Sequence, residues 1–195
     1  MSSRTARVER RTRETSITVT LDLDGSGTTD VHTGIGFLDH LLTALAHHAG
    51  FDLTLTCAGD LHVDDHHSTE DCALALGEAI DRALGERRGI ARFGHAYAPL
   101  DEAVARAVVD LSGRPYPQVW LGLQNEKLGD LAGENVGHVL RSLAIAARAT
   151  LHVDLLRGEN DHHRAEAAFK ATALALRAAV ARRGGEEVPS TKGVL

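Results

Sequence analysis

The chain has 195 residues, 43% of them hydrophobic, with a formal net charge of −6 at pH 7. This length suits one domain or two small half-domains, and the acidic balance excludes nucleic-acid binding by bulk charge. No segment approaches the about 20 apolar residues of a membrane span, and the amino-terminal residues lack the apolar core of a signal peptide. The two cysteines, Cys57 and Cys72, form no CxxC motif, and we expect both to be reduced thiols that pack against apolar residues. Reduced thiols are typical of a cytoplasmic protein.

The first half of the chain alternates between strand and helix patterns. Asp24-Gly-Ser-Gly predicts a turn that joins its first two strands into a hairpin. Periodicity predicts strands over 15–23 and 29–33, a helix over 37–48 that stops at Gly50, a strand over 51–57 and a helix over 66–84. This order is ββαβα.

The second half repeats the order ββαβα. Its predicted elements are strands over 104–111 and 118–123, a helix over 135–149, a strand over 151–155 and a helix over 162–182. Asp22 and Asp110 are 88 residues apart, whereas His40 and His138 are 98 apart, which indicates a ten-residue insertion around 124–133. We expect an α+β fold of two duplicated half-domains, about 1–92 and 93–195, packed about a pseudo-twofold axis.

Each half carries one copy of an HHxxE motif, His66 to Glu70 and His162 to Glu166. In a helix the first histidine and the glutamate share one face, at i and i+4. The second histidine, His67 or His163, is turned about 100° away and can serve a different ion. Each motif can therefore contact two metal ions.

Exchange of the two halves predicts which residues share an ion. One set is His66, Glu70, His138 and His163, and the other is His162, Glu166, His40 and His67. Three imidazoles and one carboxylate suit Mn²⁺, Fe²⁺, Co²⁺ or Zn²⁺ better than Ca²⁺ or Mg²⁺, which prefer oxygen. An octahedral ion would keep two open positions, which favours catalysis over a structural role.

Other interpretations of these residues remain open. Paired histidines can simply be solvent-exposed surface residues. Six further histidines have no repeat partner, and we expect them to lie at the surface or to pack in the interior: His32, His47, His48, His62, His95 and His152. Asp64, Asp65 and Asp71 can orient the histidines or simply face water. Asp22-Leu-Asp-Gly-Ser imitates a phosphatase nucleophile motif, but its repeat copy, Asp110-Leu-Ser-Gly, indicates a turn.

Several blocks together resemble the imidazoleglycerol-phosphate dehydratase family across essentially the whole chain. They are Gly36-Phe-Leu-Asp-His-Leu-Leu, Asp65-His-His-Ser-Thr-Glu-Asp, Asp110-Leu-Ser-Gly-Arg-Pro-Tyr, Asn160-Asp-His-His-Arg-Ala-Glu-Ala-Ala-Phe-Lys-Ala and Pro189-Ser-Thr-Lys-Gly. The resemblance implies four-stranded sheets with two helices in each half. It also implies an assembly of 24 identical chains built from trimers, with two Mn²⁺ ions per active site and active sites between subunits.

The implied reaction is dehydration of D-erythro-imidazole-glycerol phosphate to imidazole-acetol phosphate in histidine biosynthesis. It would pass through an imidazolate-like intermediate between two metal ions. The resemblance implies Arg92, Arg114, Lys170, Ser190, Thr191 and Lys192 as substrate-binding residues, most of them for the phosphate. Glu14 matches a substrate-contacting carboxylate and is our candidate for proton transfer, although its repeat partner Glu102 makes that choice less secure.

Two rival functions use the same ligands. A dinuclear metallohydrolase would hold its ions about 3.5–4 Å apart, close enough for a bridging water. A metal-storage protein would show no activity with the imidazole substrate.

Overall fold

A computed structural model describes residues 3–195 as two similar halves. The first half contains β1 (Thr5–Arg11), β2 (Thr15–Asp22), β3 (Thr29–His32), α1 (Gly36–Ala49), β4 (Asp52–Gly59) and α2 (His66–Leu84). The second contains β5 (Phe93–Leu100), β6 (Ala103–Asp110), β7 (Tyr116–Trp120), β8 (Lys127–Leu128), β9 (Leu131–Ala132), α3 (Gly133–Ala146), β10 (Thr150–Arg157) and α4 (Asp161–Val180).

Each half forms one four-stranded sheet with two helices. The strand orders, β1-β2-β4-β3 and β5-β6-β10-β7, are equivalent, which confirms the predicted α+β duplication. Each half also begins with a strand, β1 or β5, that precedes the ββαβα order found by periodicity. In the part of the chain described, no helix combines the length and apolar character needed to cross a membrane.

The predicted hairpin between the first two patterned strands is wrong. β4 lies between β2 and β3, pairing antiparallel with β2 and parallel with β3. A parallel pair requires a crossover connection, and α1 supplies it between β3 and β4. The turn after β2 therefore leads to the far edge of the sheet rather than back along β2.

The helices pack their apolar faces into one core shared by the two halves. In α1 the buried residues include Leu38, Leu41, Leu42 and Leu45, which recur at helical spacing. α1 packs against α4, and α2 packs against α3, so each helix pair joins the two halves. This pairing brings residues of the two motif copies together.

The predicted ten-residue insertion forms a small feature of its own. β8 and β9 pair as a two-stranded hairpin within residues 124–133, immediately before α3. The insertion therefore lies at the amino-terminal end of a helix that carries one of the predicted ligands, His138.

Candidate metal centres and active site

Two clusters of three possible ligands lie at the helix pairs. The α2–α3 cluster contains His66, Glu70 and His138, and the α1–α4 cluster contains His40, His162 and Glu166. Within each cluster one ligand atom from every residue lies within 4.8 Å of the others. The structure thus brings together, within one chain, three of the four residues predicted for each ion.

In the α2–α3 cluster, Glu70 faces both imidazoles. Nε2 of His138 lies 3.1 Å from Glu70 Oε1, and Nε2 of His66 lies 4.0 Å from Glu70 Oε2. The two rings stack, with centroids 5.1 Å apart. Nδ1 of His66 donates to the side-chain oxygen of buried Asn135 at 3.1 Å, which leaves Nε2 available as a ligand.

In the α1–α4 cluster, Glu166 accepts hydrogen bonds from two histidines. Nε2 of His40 and Nε2 of His162 lie 3.0 and 2.8 Å from Glu166 Oε1. Lys170, predicted as a substrate residue, places Nζ 2.8 Å from Glu166 Oε2. Burial raises the pKa of Glu166, but the hydrogen bonds from Lys170, His40 and His162 outweigh it and lower that pKa to about 2. Glu166 is therefore a carboxylate at neutral pH, as a metal ligand must be.

The second histidine of each motif belongs to neither of these clusters. Nδ1 of His67 lies 3.0 Å from Asp60 Oδ2, and Nδ1 of His163 lies 2.7 Å from Glu102 Oε2. These contacts raise the pKa of both imidazoles. A carboxylate on Nδ1 fixes the ring and its tautomer, as it does in metal-ligating histidines, and leaves Nε2 for another partner.

Glu14 and Glu102 occupy equivalent places in the two halves. Glu14 Oε1 lies 3.9 Å from Nε2 of His67, beyond hydrogen-bond distance, and its side chain is 52% exposed. Glu102 instead accepts hydrogen bonds from the backbone N–H groups of Glu159 and Asn160 and from His163. Bonds from Asn160, His163 and Glu159, in that order, lower the pKa of Glu102 to about 2. Glu102 is committed to structure, whereas Glu14 faces solvent beside a histidine.

The predicted phosphate-binding residues gather at a different end of the molecule. Arg92 forms a bidentate ion pair with Asp110, and its Nη1 donates to the backbone oxygen of Pro189 at 2.8 Å. Leu195 lies against Gly113, so the tail passes beside exposed Arg114. Ser190, Thr191 and Lys192 lie in this tail, where Ser190 Oγ accepts the Lys192 N–H.

Arg92 is distant from the α1–α4 cluster within the same chain. The backbone N–H of Arg92 donates to the carbonyl of Ala179, near the carboxyl end of α4, while Glu166 lies in its first turns. Thirteen residues of helix separate Glu166 from Ala179, which corresponds to about 20 Å. One small substrate cannot contact both Arg92 and the α1–α4 cluster of one chain.

Sequence reasoning missed three residues that orient other groups, and it did not foresee the partners of the three acidic residues near the first motif. Asp60 contacts His67, Asn135 contacts His66, and Asp130 accepts the backbone N–H groups at the start of α1. No local pattern in the sequence revealed these contacts. Of the acidic residues near the first motif, Asp64 accepts the His66 backbone N–H and Asp65 accepts the Ala132 N–H. Asp71 is buried with Arg10 and Thr15. These three carboxylates hold backbone or other side chains instead of ligand imidazoles.

Comparison with known proteins identifies the relatives of this arrangement. A profile described as imidazoleglycerol-phosphate dehydratase matches residues 33–176. The chain belongs to the imidazoleglycerol-phosphate dehydratase family. Relatives of that name from Saccharomyces cerevisiae and Maudiozyma humilis are 53% and 52% identical, and both alignments cover 100% of each chain. Membership confirms the resemblance and the prediction of a hydro-lyase of histidine biosynthesis.

Solved structures of the family share the fold. The imidazoleglycerol-phosphate dehydratase of Staphylococcus aureus superposes with a TM-score of 0.83 at 36% identity, covering 91% of this chain and 99% of that one. The Pyrococcus furiosus family member, solved in complex with (S)-C348, gives a TM-score of 0.84 at 39% identity, covering 96% and 100%. The duplicated half-domains are therefore the family's fold.

Proposed function

We propose that this chain dehydrates D-erythro-imidazole-glycerol phosphate to imidazole-acetol phosphate with two Mn²⁺ ions per active site. Family membership supports the reaction, and the observation that carries the metal dependence is the pair of His₂Glu clusters. Each offers two imidazole nitrogens and one carboxylate oxygen within 4.8 Å of one another. This mixed donor set fits Mn²⁺ and related transition ions.

The fourth ligand of each ion is proposed to come from a neighbouring chain. His67 and His163 have their Nδ1 atoms held by Asp60 and Glu102, and neither residue belongs to a cluster of its own chain. Two imidazoles presented in this way suit clusters on other subunits. Sharing of this kind requires an assembly, and the resemblance implies one of 24 chains built from trimers.

The chain's own residues then bind the two ends of the substrate. Bound ions at the clusters would supply fixed positive charge beside the imidazole ring, where negative charge develops when a proton leaves the adjacent carbon. Glu14 accepts that proton, since its side chain is half-exposed, lies beside His67 and makes no hydrogen bond to the backbone of residues 3–195.

The phosphate is bound by Arg92, whose orientation Asp110 fixes, together with Arg114, Ser190, Thr191 and Lys192. Lys170 keeps Glu166 ionised.

Metal titration and assay test this proposal directly. Purified protein stripped of metal should take up two equivalents of Mn²⁺ per chain and gain dehydratase activity with imidazole-glycerol phosphate as they bind. Hydrolysis of phosphate esters without dehydration would support a dinuclear hydrolase. Metal uptake without any activity on the substrate would support a storage protein. Either result would contradict the proposal.

Co-expression of two inactive variants tests whether sites are shared. Glu70→Ala removes a cluster ligand, and Arg114→Ala removes a phosphate contact. If these groups meet across subunits, mixed assemblies contain sites with both groups intact, and activity returns. If each site lay within one chain, every site would remain defective.

The two cysteines, Cys57 and Cys72, form no disulfide, as is usual for an enzyme of the reducing cytoplasm, which is the location that we propose.

A further inference from the structure

The ten-residue insertion of the second half contacts the amino-terminal ends of the ligand-bearing helices. Asp161, the first residue of α4, accepts the backbone N–H groups of Gln124 and Asn125 at 2.8 and 2.7 Å. Asp65, just before α2, accepts the Ala132 N–H at 2.6 Å. The insertion leads directly into α3. Three of the four helices that carry ligands are thereby fixed to it.

The fourth helix, α1, is fixed by Asp130. Its two carboxylate oxygens accept the backbone N–H groups of Gly36 and Phe37 at 2.7 and 3.1 Å. These are the first two residues of α1, whose N-cap position is Ile35, a residue without a side-chain acceptor. A carboxylate at a helix amino terminus satisfies unpaired N–H groups and interacts favourably with the helix dipole. Asp130 therefore caps α1 from 94 residues away in sequence.

The capped turn contacts both histidines of the α1–α4 cluster. Phe37 packs its ring against His162, with centroids 4.9 Å apart, and against His40 at 6.1 Å. His40 follows Gly36 by four residues, so both lie on one face of α1. A shift of the first turn of α1 would move His40 relative to His162 and Glu166.

We propose that Asp130 is a positioning residue for the α1–α4 cluster, which sets the placement of His40 and so the affinity of that cluster for a divalent ion. This inference rests on the proposed metal-dependent function. It assigns a role to the insertion in the second half: the hairpin holds one ligand helix in register with its partner.

Asp130→Asn tests the role, with Asp52→Asn as a matched control. Asp52 also accepts two backbone N–H groups, from Ser26 and Thr28, but its turn lies at the opposite end of α1, where Gly27 contacts His47. We expect Asp130→Asn to weaken Mn²⁺ binding at one of the two sites by about 10–100-fold, the range for residues that orient ligands. Asp52→Asn should lower the melting temperature of the metal-free protein without changing Mn²⁺ affinity.

A second pair of variants probes the same contact from α1. Gly36→Pro removes one N–H donor to Asp130, and proline is tolerated at the first helical position. The preceding residue, Ile35, has φ −120° and ψ 103° and is therefore extended rather than helical, as is preferred before proline. We expect Gly36→Pro to weaken one Mn²⁺ site as Asp130→Asn does, whereas Gly36→Ala, which keeps the N–H, should not.

The outcomes separate this inference from the function on which it rests. Parent protein that binds no Mn²⁺ would contradict the proposed function. Parent protein with two Mn²⁺ sites, together with parental affinity at both sites in Asp130→Asn and Gly36→Pro, would overturn the positioning role alone. Should Asp130→Asn fail to fold, the comparison of Gly36→Pro with Gly36→Ala decides.

Discussion

The carboxylate of Glu102 lies 2.7 Å from Nδ1 of His163 and also accepts two backbone N–H groups. Its repeat counterpart Glu14 stands 3.9 Å from Nε2 of His67, with half of its side chain exposed. The duplication has therefore produced two carboxylates with different surroundings. One orients a histidine, and the other is available for proton transfer.

Glu14→Gln should reduce kcat while leaving metal content, assembly and substrate affinity near parental values. Glutamine keeps the shape of the side chain but cannot accept the proton. General acid–base catalysis contributes about 10²–10⁴-fold, so the loss in kcat should be of that order. Steady-state kinetics with metal analysis of the same preparation provide the measurement. Retention of more than about a tenth of parental kcat would assign proton transfer elsewhere.

Glu102→Gln should give the opposite pattern. Glutamine weakens the bonds from His163 and from the backbone at the start of α4, so the orientation of a proposed ligand is lost. We expect Mn²⁺ affinity to fall by about 10–100-fold, with kcat recovered when Mn²⁺ is saturating. A variant with parental Mn²⁺ affinity but collapsed kcat would make Glu102 the proton acceptor.

Chelation of the metal should abolish activity and reduce the size of the assembly. Ligands shared between chains make the free energy of metal binding part of the free energy of association. Analytical ultracentrifugation before and after chelation, and after Mn²⁺ is restored, measures the effect. An unchanged particle that has lost its metal would show that other contacts hold the chains together.

Lys192→Ala should chiefly raise KM, with a smaller loss in kcat. Removal of one charge-assisted phosphate contact costs about 1.5–3 kcal/mol, which corresponds to about 10–100-fold in kcat/KM. Val194→Ala, at an exposed position of the same tail, is the control and should leave KM unchanged. Parental kinetics in Lys192→Ala would place the tail outside the active site.

Asp24→Asn should destabilise the protein more at neutral pH than in acid. Hydrogen bonds from Arg4 and Arg182 hold the pKa of Asp24 well below its usual 3.8. Because the folded-state pKa is depressed, this stabilisation is present above about pH 4 and is lost as the pH falls further. Asp24 is 39% exposed, so solvent screening limits the expected loss at pH 7 to about 1 kcal/mol.

Urea unfolding of the metal-free parent and variant at pH 7 and pH 3 measures this difference. The free energies of unfolding should differ most at pH 7 and by less at pH 3, where the unfolded-state carboxyl is largely protonated while the folded-state carboxyl is still ionised. Glu9→Gln is the control, because the Arg7–Glu9 pair is largely exposed and should contribute little. A difference that is as large at pH 3 as at pH 7 would show that the charge of Asp24 is not its cause.

The repeat in the sequence predicted much of the candidate site. The offsets between histidines paired His138 with His66 and Glu70, and His40 with His162 and Glu166, and the structure brings these residues together. This succeeded because duplicated halves pack symmetrically, so equivalent positions exchange. The boundaries of α2, His66–Leu84, were also predicted at both ends, because apolar periodicity is a local property of the chain. The helix predicted over 135–149 instead lies at Gly133–Ala146.

By itself, the sequence determined the duplicated halves, the motif pairs and the residues that we propose as metal ligands, since each depends on local spacing or on repetition. Only the tertiary structure decided that β4 separates β2 from β3, that Asp60 and Glu102 hold Nδ1 of His67 and His163, and that Asp130 caps α1. These features depend on hydrogen-bond partners brought together by folding. Periodicity carries no record of such partners, because a hydrogen bond depends on the position and direction of both groups in space.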